Sequence, residues 1–166
     1  MELKQHTTPE MLEKYSFLWS EARLILGAIA LALGGVPVVF AILPISGLSS
    51  LVGSLLTLAW VISGIASGYM LYRFWTGGKT VFGGTKRHDL ISFWVSAVTG
   101  LNLGITGVFG TNIGMSIASG ALGRIVFTLT AVVYVIVAVH LYRRWIASGK
   151  RVFGPSETVV SPIDSK

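Results

Sequence analysis

The sequence has no cysteine and few charged residues. Of its 166 residues, 12% are Asp, Glu, Lys or Arg and 52% are hydrophobic, whereas soluble domains carry about 25% charged residues. Without cysteine the chain has no disulfide bonds, thiolate metal ligands or cysteine nucleophiles. Its mean hydropathy is +0.72. This composition predicts a protein that resides in lipid.

Motifs for catalysis are also absent. The sequence contains neither a G-x-S-x-G elbow nor a His-Glu-x-x-His metal motif. Gly77 to Thr80 suggests a phosphate-binding loop, but Arg73 stands where the first glycine of that motif must be. Glu21 and Asp89 are expected at helix ends, which leaves no carboxylate deep within a predicted membrane span. We therefore expect no enzyme activity, no metal and no cofactor.

Four apolar segments are long enough to cross about 30 Å of hydrocarbon as helices of about 20 residues. They are Leu24 to Leu43, Leu51 to Tyr72, Leu90 to Phe109 and Leu122 to Tyr142. The sequence therefore predicts an all-α integral membrane protein with four transmembrane helices.

A short helix is predicted before the first span. Thr7 or Thr8 is expected to cap it, with Pro9 in its first turn. Apolar residues then recur at helical spacing at Met11, Tyr15, Leu18 and Ala22. This pattern predicts an interfacial helix lying on the inner leaflet. The alternative is that these residues simply extend the first span.

The positive charges are placed on one side of the predicted spans. Twelve of the thirteen Lys and Arg residues fall there, and Arg124 is the exception. By the positive-inside rule, both termini and the central loop are cytoplasmic. We expect an integral protein of the plasma membrane, with the lipid bilayer as its first partner and no nucleic acid. The one-sided cations are Lys4, Lys14, Arg23, Arg73, Lys79, Lys86, Arg87, Arg143, Arg144, Lys150, Arg151 and Lys166.

A helical hairpin with a basic, aromatic tail occurs twice. The motif Tyr-Arg-x-Trp begins at Tyr72 and again at Tyr142, an offset of 70, and each copy is followed by a Gly-Lys-x-Val-Phe-Gly segment. Two tandem hairpins in the same orientation form a parallel internal repeat. The predicted units are a cytoplasmic segment at 1–22, hairpins with their tails at 23–84 and 85–154, and a flexible cytoplasmic tail at 155–166.

The two tails are predicted membrane anchors. Tyr and Trp prefer the headgroup level, Lys and Arg extend to phosphate, and the glycines let Val-Phe lie back on the bilayer. The alternative is a pair of lipid-headgroup or anion sites, formed by Arg73 with Lys79 and by Arg143 with Lys150. Arg124, alone at the outer side, is expected to extend to headgroups there; otherwise it binds loop carbonyls, an anionic ligand or a partner protein.

Small and polar residues within the spans indicate helix packing. Gly64 with Gly68 and Gly100 with Gly104 have the four-residue spacing that lets helix backbones approach closely. The alternative is the general enrichment of glycine in membrane helices. Asn102 is expected to hydrogen-bond between helices, or else to line a narrow wet path.

Polar residues at span ends have local interpretations. Asp89 is expected to cap the third span, with a pair to His88 as the alternative. His140 lies one turn before Arg143 and is expected to be interfacial, whereas a quinone or proton-relay role is the alternative.

Two functions remain. The first is a non-catalytic structural or accessory subunit that packs through its glycine faces, as a homo-oligomer or within a larger membrane complex. The alternative is a small channel or transporter assembled as a homo-oligomer, with a path lined by Thr99, Asn102, Thr106 and Arg124.

Overall fold

The computed structural model describes residues 8–42, 49–117 and 121–154, and the predicted flexible tail at 155–166 lies outside these ranges. The described chain is helical, with connecting turns. Its helices are α1 Pro9–Ala32, α2 Val38–Ile42, α3 Ser49–Thr76, α4 Arg87–Phe109, α5 Ile113–Ile117 and α6 Ala121–Ala147.

The four long helices α1, α3, α4 and α6 are long and apolar enough to cross a membrane. Each exceeds the roughly 20 residues that a bilayer requires. The prediction of an all-helical protein with four helices long and apolar enough to span a membrane is therefore confirmed in the described residues. The short helices α2 and α5 lie in the connections after α1 and α4.

The first span differs from its predicted bounds. Thr8 caps α1 by accepting a hydrogen bond from Met11 N, as predicted, and the helix then continues without a break to Ala32. The residues assigned to a separate interfacial helix thus form the first half of α1. The helix does not reach Leu43, because Gly34 and Gly35 adopt positive φ angles and Pro37 follows.

The long helices form a four-membered ring. α3 packs most closely against α4 and α6 against α1, with further contacts of α1 with α3 and of α4 with α6. In the described residues no Cα atom of α3 lies within 8 Å of one of α6, whereas α1 and α4 meet across the centre. We call the end where α1 and α4 begin, and where α3 and α6 finish, the basic end.

The α3–α4 contact is a backbone contact between glycines. A Cβ atom on Gly104 would lie 2.6 Å from Gly64 Cα, closer than any side chain tolerates. One turn away, a Cβ atom on Gly100 would lie 1.9 Å from Ser67 Oγ. Gly68 differs, because nothing lies within 4 Å of its Cβ position. The close approach of the two helices thus occurs at Gly64, Gly100 and Gly104. Gly68 takes no part in it.

Both α3 and α6 end in the same turn. Lys79 N donates to Phe74 O, and Lys150 N donates to Trp145 O, each at 2.9 Å. Gly78 and Gly149 adopt positive φ angles at the centre of these turns. This is the Schellman arrangement, which satisfies carbonyls that the helix end leaves free. We call the following segments, residues 77–84 and 148–154, the first and second tails.

The tails fold back into the bundle. Val81 and Val152 are 0% and 1% exposed, and Phe82 and Phe153 are also buried. They belong to the hydrophobic core together with Phe17. The prediction that Val-Phe lies on the bilayer is therefore wrong. Burial inside the protein removes these side chains from both water and lipid while the Phe82 N–H donates to Val152 O at 2.7 Å.

Candidate functional site

Buried ionisable residues occupy two levels of the bundle. Glu13 and Asp89 lie near the basic end, within the first turns of α1 and α4. Glu21 and Arg23 lie about 20 Å from the start of α1, at 1.5 Å per residue. All four are less than 9% exposed. Since a buried charge is costly unless it is paired, their partners decide what each level can do.

Glu13 binds an arginine and the second tail at once. Its Oε2 atom lies 2.9 Å from Arg73 Nη2, which joins α1 to α3. Its Oε1 atom accepts hydrogen bonds from the backbone N–H groups of Val152 and Phe153, both at 3.1 Å. We call this group the Glu13 clamp. It connects the first helix to residues 139 and 140 positions further along the chain.

Asp89 forms the second such group. Its Oδ1 atom lies 2.8 Å from His140 Nε2, and its Oδ2 atom lies 2.8 Å from Arg144 Nη2. Arg144 Nε also donates to both carboxylate oxygens at 3.0 Å. We call this group the Asp89 clamp. It joins α4 to α6, and the Arg144 guanidinium also lies 5.8 Å from the Phe82 ring of the first tail.

The prediction that Asp89 caps the third span is wrong. Lys86 is the N-cap residue of α4, and no side chain caps that end. Asp89 instead turns into the bundle, because two basic side chains of α6 offer it charge-assisted hydrogen bonds there. His88 is exposed, so the pair forms with His140 and not with the adjacent histidine.

The two clamps correspond in position. The hydrogen bonds that close α3 and α6 match at an offset of 71, which aligns Arg73 with Arg144 and Phe74 with Trp145. At the offset of 70 residues predicted from the sequence, Arg73 aligns instead with Arg143, which is exposed. On α1 and α4 the spacing Glu13-x3-Phe17-x2-Ser20 recurs 76 residues later from Asp89, and all of these residues are buried.

Arg23 lies inside the bundle. Its Nη1 atom donates to Thr99 Oγ1 at 2.9 Å, and its Nη2 atom donates to Ser96 O at 2.7 Å. Arg23 was predicted at the cytoplasmic edge and Glu21 at a helix end, and both predictions are wrong. The helix begins at Pro9, so α1 carries both residues into its middle.

Three polar atoms at this deeper level have no hydrogen-bond partner among the described residues. They are Glu21 Oε1, Arg23 Nε and Ser67 Oγ. The partners of Arg23 are neutral hydroxyl and carbonyl groups, so its charge has no hydrogen-bonded counter-ion within the described residues. A small, mainly apolar cavity bordered by Ser67 and Ser96 has a volume of about 10 Å³, which is close to the minimum that admits one water molecule. We call Glu21, Arg23, Ser67, Ser96 and Thr99 the central polar group.

The predicted lipid-headgroup or anion residues are not equivalent. Arg73 is engaged by Glu13. The Lys79 ammonium lies 4.4 Å from the Trp75 ring centre. Arg143 and Lys150 are exposed at the basic end. Arg124 lies at the opposite end, where it lines an open groove of about 370 Å³ with Phe127 and the last residues of α1.

Asn102 organises the connection after α4. Its Nδ2 atom donates to Asn112 Oδ1 at 2.9 Å, and its Oδ1 atom accepts from Ile113 N at 3.1 Å. The side chain thus holds the loop and α5 against α4. It contacts neither Arg124 nor another long helix through these hydrogen bonds.

The arrangement joins helices and offers few groups for chemistry. No cluster of three His, Asp or Glu residues suited to a metal ion occurs in the described parts of the chain. The clamps and the central polar group were missed because each depends on residues distant in sequence. The sequence pattern that points to the clamps is the acid-x3-Phe-x2-Ser spacing, which begins at Glu13 and again at Asp89. No protein-family model, curated protein or solved structure matches this chain.

Proposed function

We propose that this protein is a non-catalytic multi-pass membrane protein that acts as a structural or accessory subunit through helix packing. The observation that carries this proposal is that the buried ionic groups at the basic end bind one another. Glu13 and Asp89 each accept hydrogen bonds from an arginine, and Glu13 also holds the second tail. Such groups fix helices and tails in position and present no open site to a substrate.

A parallel internal repeat supports the same role. The matching clamps at offsets of 76 and 71, and the alternating contacts around the ring, fit two hairpins related by an axis along the membrane normal. Two related hairpins that clamp each other form a rigid unit. The glycine contact between Gly64 and Gly104 adds close packing at the junction between the hairpins.

Native extraction in mild detergent, followed by identification of the co-purifying chains, tests this role. We expect a defined assembly, either a homo-oligomer or a larger membrane complex, that survives gentle extraction. Recovery of a monomer alone, under conditions that preserve known complexes of the same membrane, contradicts the proposal.

The central polar group favours a second candidate, a small channel or transporter that is complete as a homo-oligomer. An arginine at membrane depth is costly, and such residues mark ion or proton pathways in many membrane proteins. Arg23 with neutral partners, beside Glu21 on the same helix, is the feature that fits this role. Asn102 and Arg124 are not part of the central polar group. Asn102 hydrogen-bonds the connection after α4, and Arg124 lines the groove at the opposite end.

Flux measurements on purified protein in liposomes separate the two functions. A channel or transporter predicts ion flux that Arg23→Gln lowers at least tenfold, with Arg87→Gln as the matched control because Arg87 is exposed. An absence of flux in wild-type vesicles eliminates this candidate and leaves the subunit role in place.

We also propose that the basic end is cytoplasmic and that the protein is in the plasma membrane. The exposed cations at this end fit the positive-inside rule. The natural absence of cysteine allows a clean test with single substitutions. We expect a membrane-impermeant maleimide to label Thr111→Cys in intact cells and Thr85→Cys only after permeabilisation. Labelling in the reverse order indicates the opposite orientation.

A further inference from the structure

At the basic end, two carboxylates are buried and most cations are exposed. Its described carboxylates Glu13 and Asp89 are buried and bound to arginines, and Glu10 is the exposed carboxylate among the described residues there. Most other cations of the described residues at this end are exposed. The exposed ones are Lys79, Lys86, Arg87, Arg143, Lys150 and Arg151. The surface that the described residues form at this end is therefore strongly positive.

The exposed cations lie where a membrane surface would meet the protein. Arg143 is in the last turns of α6, and Lys79 and Lys150 follow the ends of α3 and α6 directly. Apolar and aromatic side chains are exposed beside them, including Trp75 at 57% and Tyr142 at 49%. Cations and interfacial aromatic rings at one level are typical of headgroup contact.

We propose that the exposed cations at the basic end bind the headgroups of anionic phospholipids. We call Lys79, Arg143 and Lys150 the lipid-contact residues. The side chains of Arg143 and Lys150 have no hydrogen bond or ion pair with any described residue, and the Lys79 ammonium lies 4.4 Å from the centre of the Trp75 ring. Each Lys or Arg near an anionic membrane surface contributes favourable electrostatic energy that falls off with added salt.

The clamps keep two carboxylates away from this surface, and the exposed apolar side chains favour a lipid over a soluble anion. Because Glu13 and Asp89 neutralise Arg73 and Arg144 inside the protein, neither carboxylate repels a phosphate outside it. A soluble polyanion would meet the same charges, but it would leave the exposed apolar side chains beside them in water. A phospholipid satisfies both, since its phosphate meets the cations while its acyl chains cover Trp75 and Ile146.

The full-length protein in bilayer vesicles tests this inference. Energy transfer from the protein's tryptophans to a fluorescent phosphatidylglycerol is compared with transfer to the matching phosphatidylcholine. We expect several-fold enrichment of phosphatidylglycerol around the wild-type protein, and loss of most of it in the triple variant K79Q, R143Q and K150Q. Raising the salt concentration to about 1 M should weaken the enrichment in the wild type.

Arg124→Gln is the matched control for Arg143→Gln. Both changes remove one exposed arginine from α6, but at opposite ends of the helix. Only Arg143→Gln should lower the enrichment. Equal enrichment of both lipids around the wild type overturns the inference, as does an unchanged triple variant. Since the replaced side chains are exposed, helicity and melting temperature should be retained; if the triple variant does not fold, the single variants decide.

Discussion

Leucine at position 104 is expected to separate α3 from α4. A Cβ atom at this position would lie 2.6 Å from Gly64 Cα and 3.3 Å from Gly64 N, and these are backbone atoms that no rotamer change can move. Overpacking in protein interiors costs about 1–3 kcal/mol and occasionally more. We expect a loss of unfolding free energy at the upper part of that range for Gly104→Leu.

Gly68→Leu provides the matched control for this change. Gly68 lies on α3 one turn from Gly64, and nothing lies within 4 Å of its Cβ position. Thermal or denaturant unfolding in the same detergent should therefore show a large loss of stability for Gly104→Leu and a small one for Gly68→Leu. Equal effects of the two substitutions would mean that α3 and α4 do not cross at Gly64 and Gly104.

Hydropathy predicted the four membrane helices because their length and apolar composition are local properties. It failed on the start of the first span for the same reason. Glu13, Lys14, Glu21 and Arg23 lower the hydropathy before Leu24, so that segment resembles an interfacial helix. In the folded chain these side chains lie within α1, and Glu13 and Arg23 are stabilised by groups from α3, α4 and the second tail.

The clamps could not be predicted from local sequence. Asp89 has a local alternative, the cap of α4, and nothing nearby shows that His140 and Arg144 lie 51 and 55 residues away as its partners. The tails pose the same problem. Val81 and Val152 are apolar enough for either bilayer or core, and their burial depends on how the tail backbone is held. The Glu13 carboxylate supplies that hold for the second tail.

The chain uses its few charges for two separate purposes. Buried carboxylates bind Arg73 and Arg144 and join the helices, whereas the lipid-contact residues remain exposed at the same end. A count of charge per segment treats these cations as equivalent. Variants of the paired arginines, Arg73 and Arg144, should therefore change stability, and variants of the lipid-contact residues should change lipid enrichment with little effect on stability.

Replacement of Glu13 by alanine should have the second large effect, because it releases the second tail. The change removes the ion pair with Arg73 and leaves the N–H groups of Val152 and Phe153 without their acceptor. Breaking a buried ion pair costs about 3–5 kcal/mol. Arg73 is 28% exposed and regains some hydration, so we expect a loss near the lower limit, about 3 kcal/mol.

Hydrogen exchange distinguishes this specific release from general destabilisation. The amides of Val152 and Phe153 should exchange rapidly in Glu13→Ala, while amides in the middle of α4 retain protection under native conditions. Glu10→Ala is the matched control, since Glu10 lies one turn earlier on α1 and is exposed. Slow exchange at both tail amides in Glu13→Ala would show that the second tail is held without the Glu13 carboxylate. Rapid exchange confined to Glu13→Ala would make its carboxylate the group that keeps the tail inside the bundle.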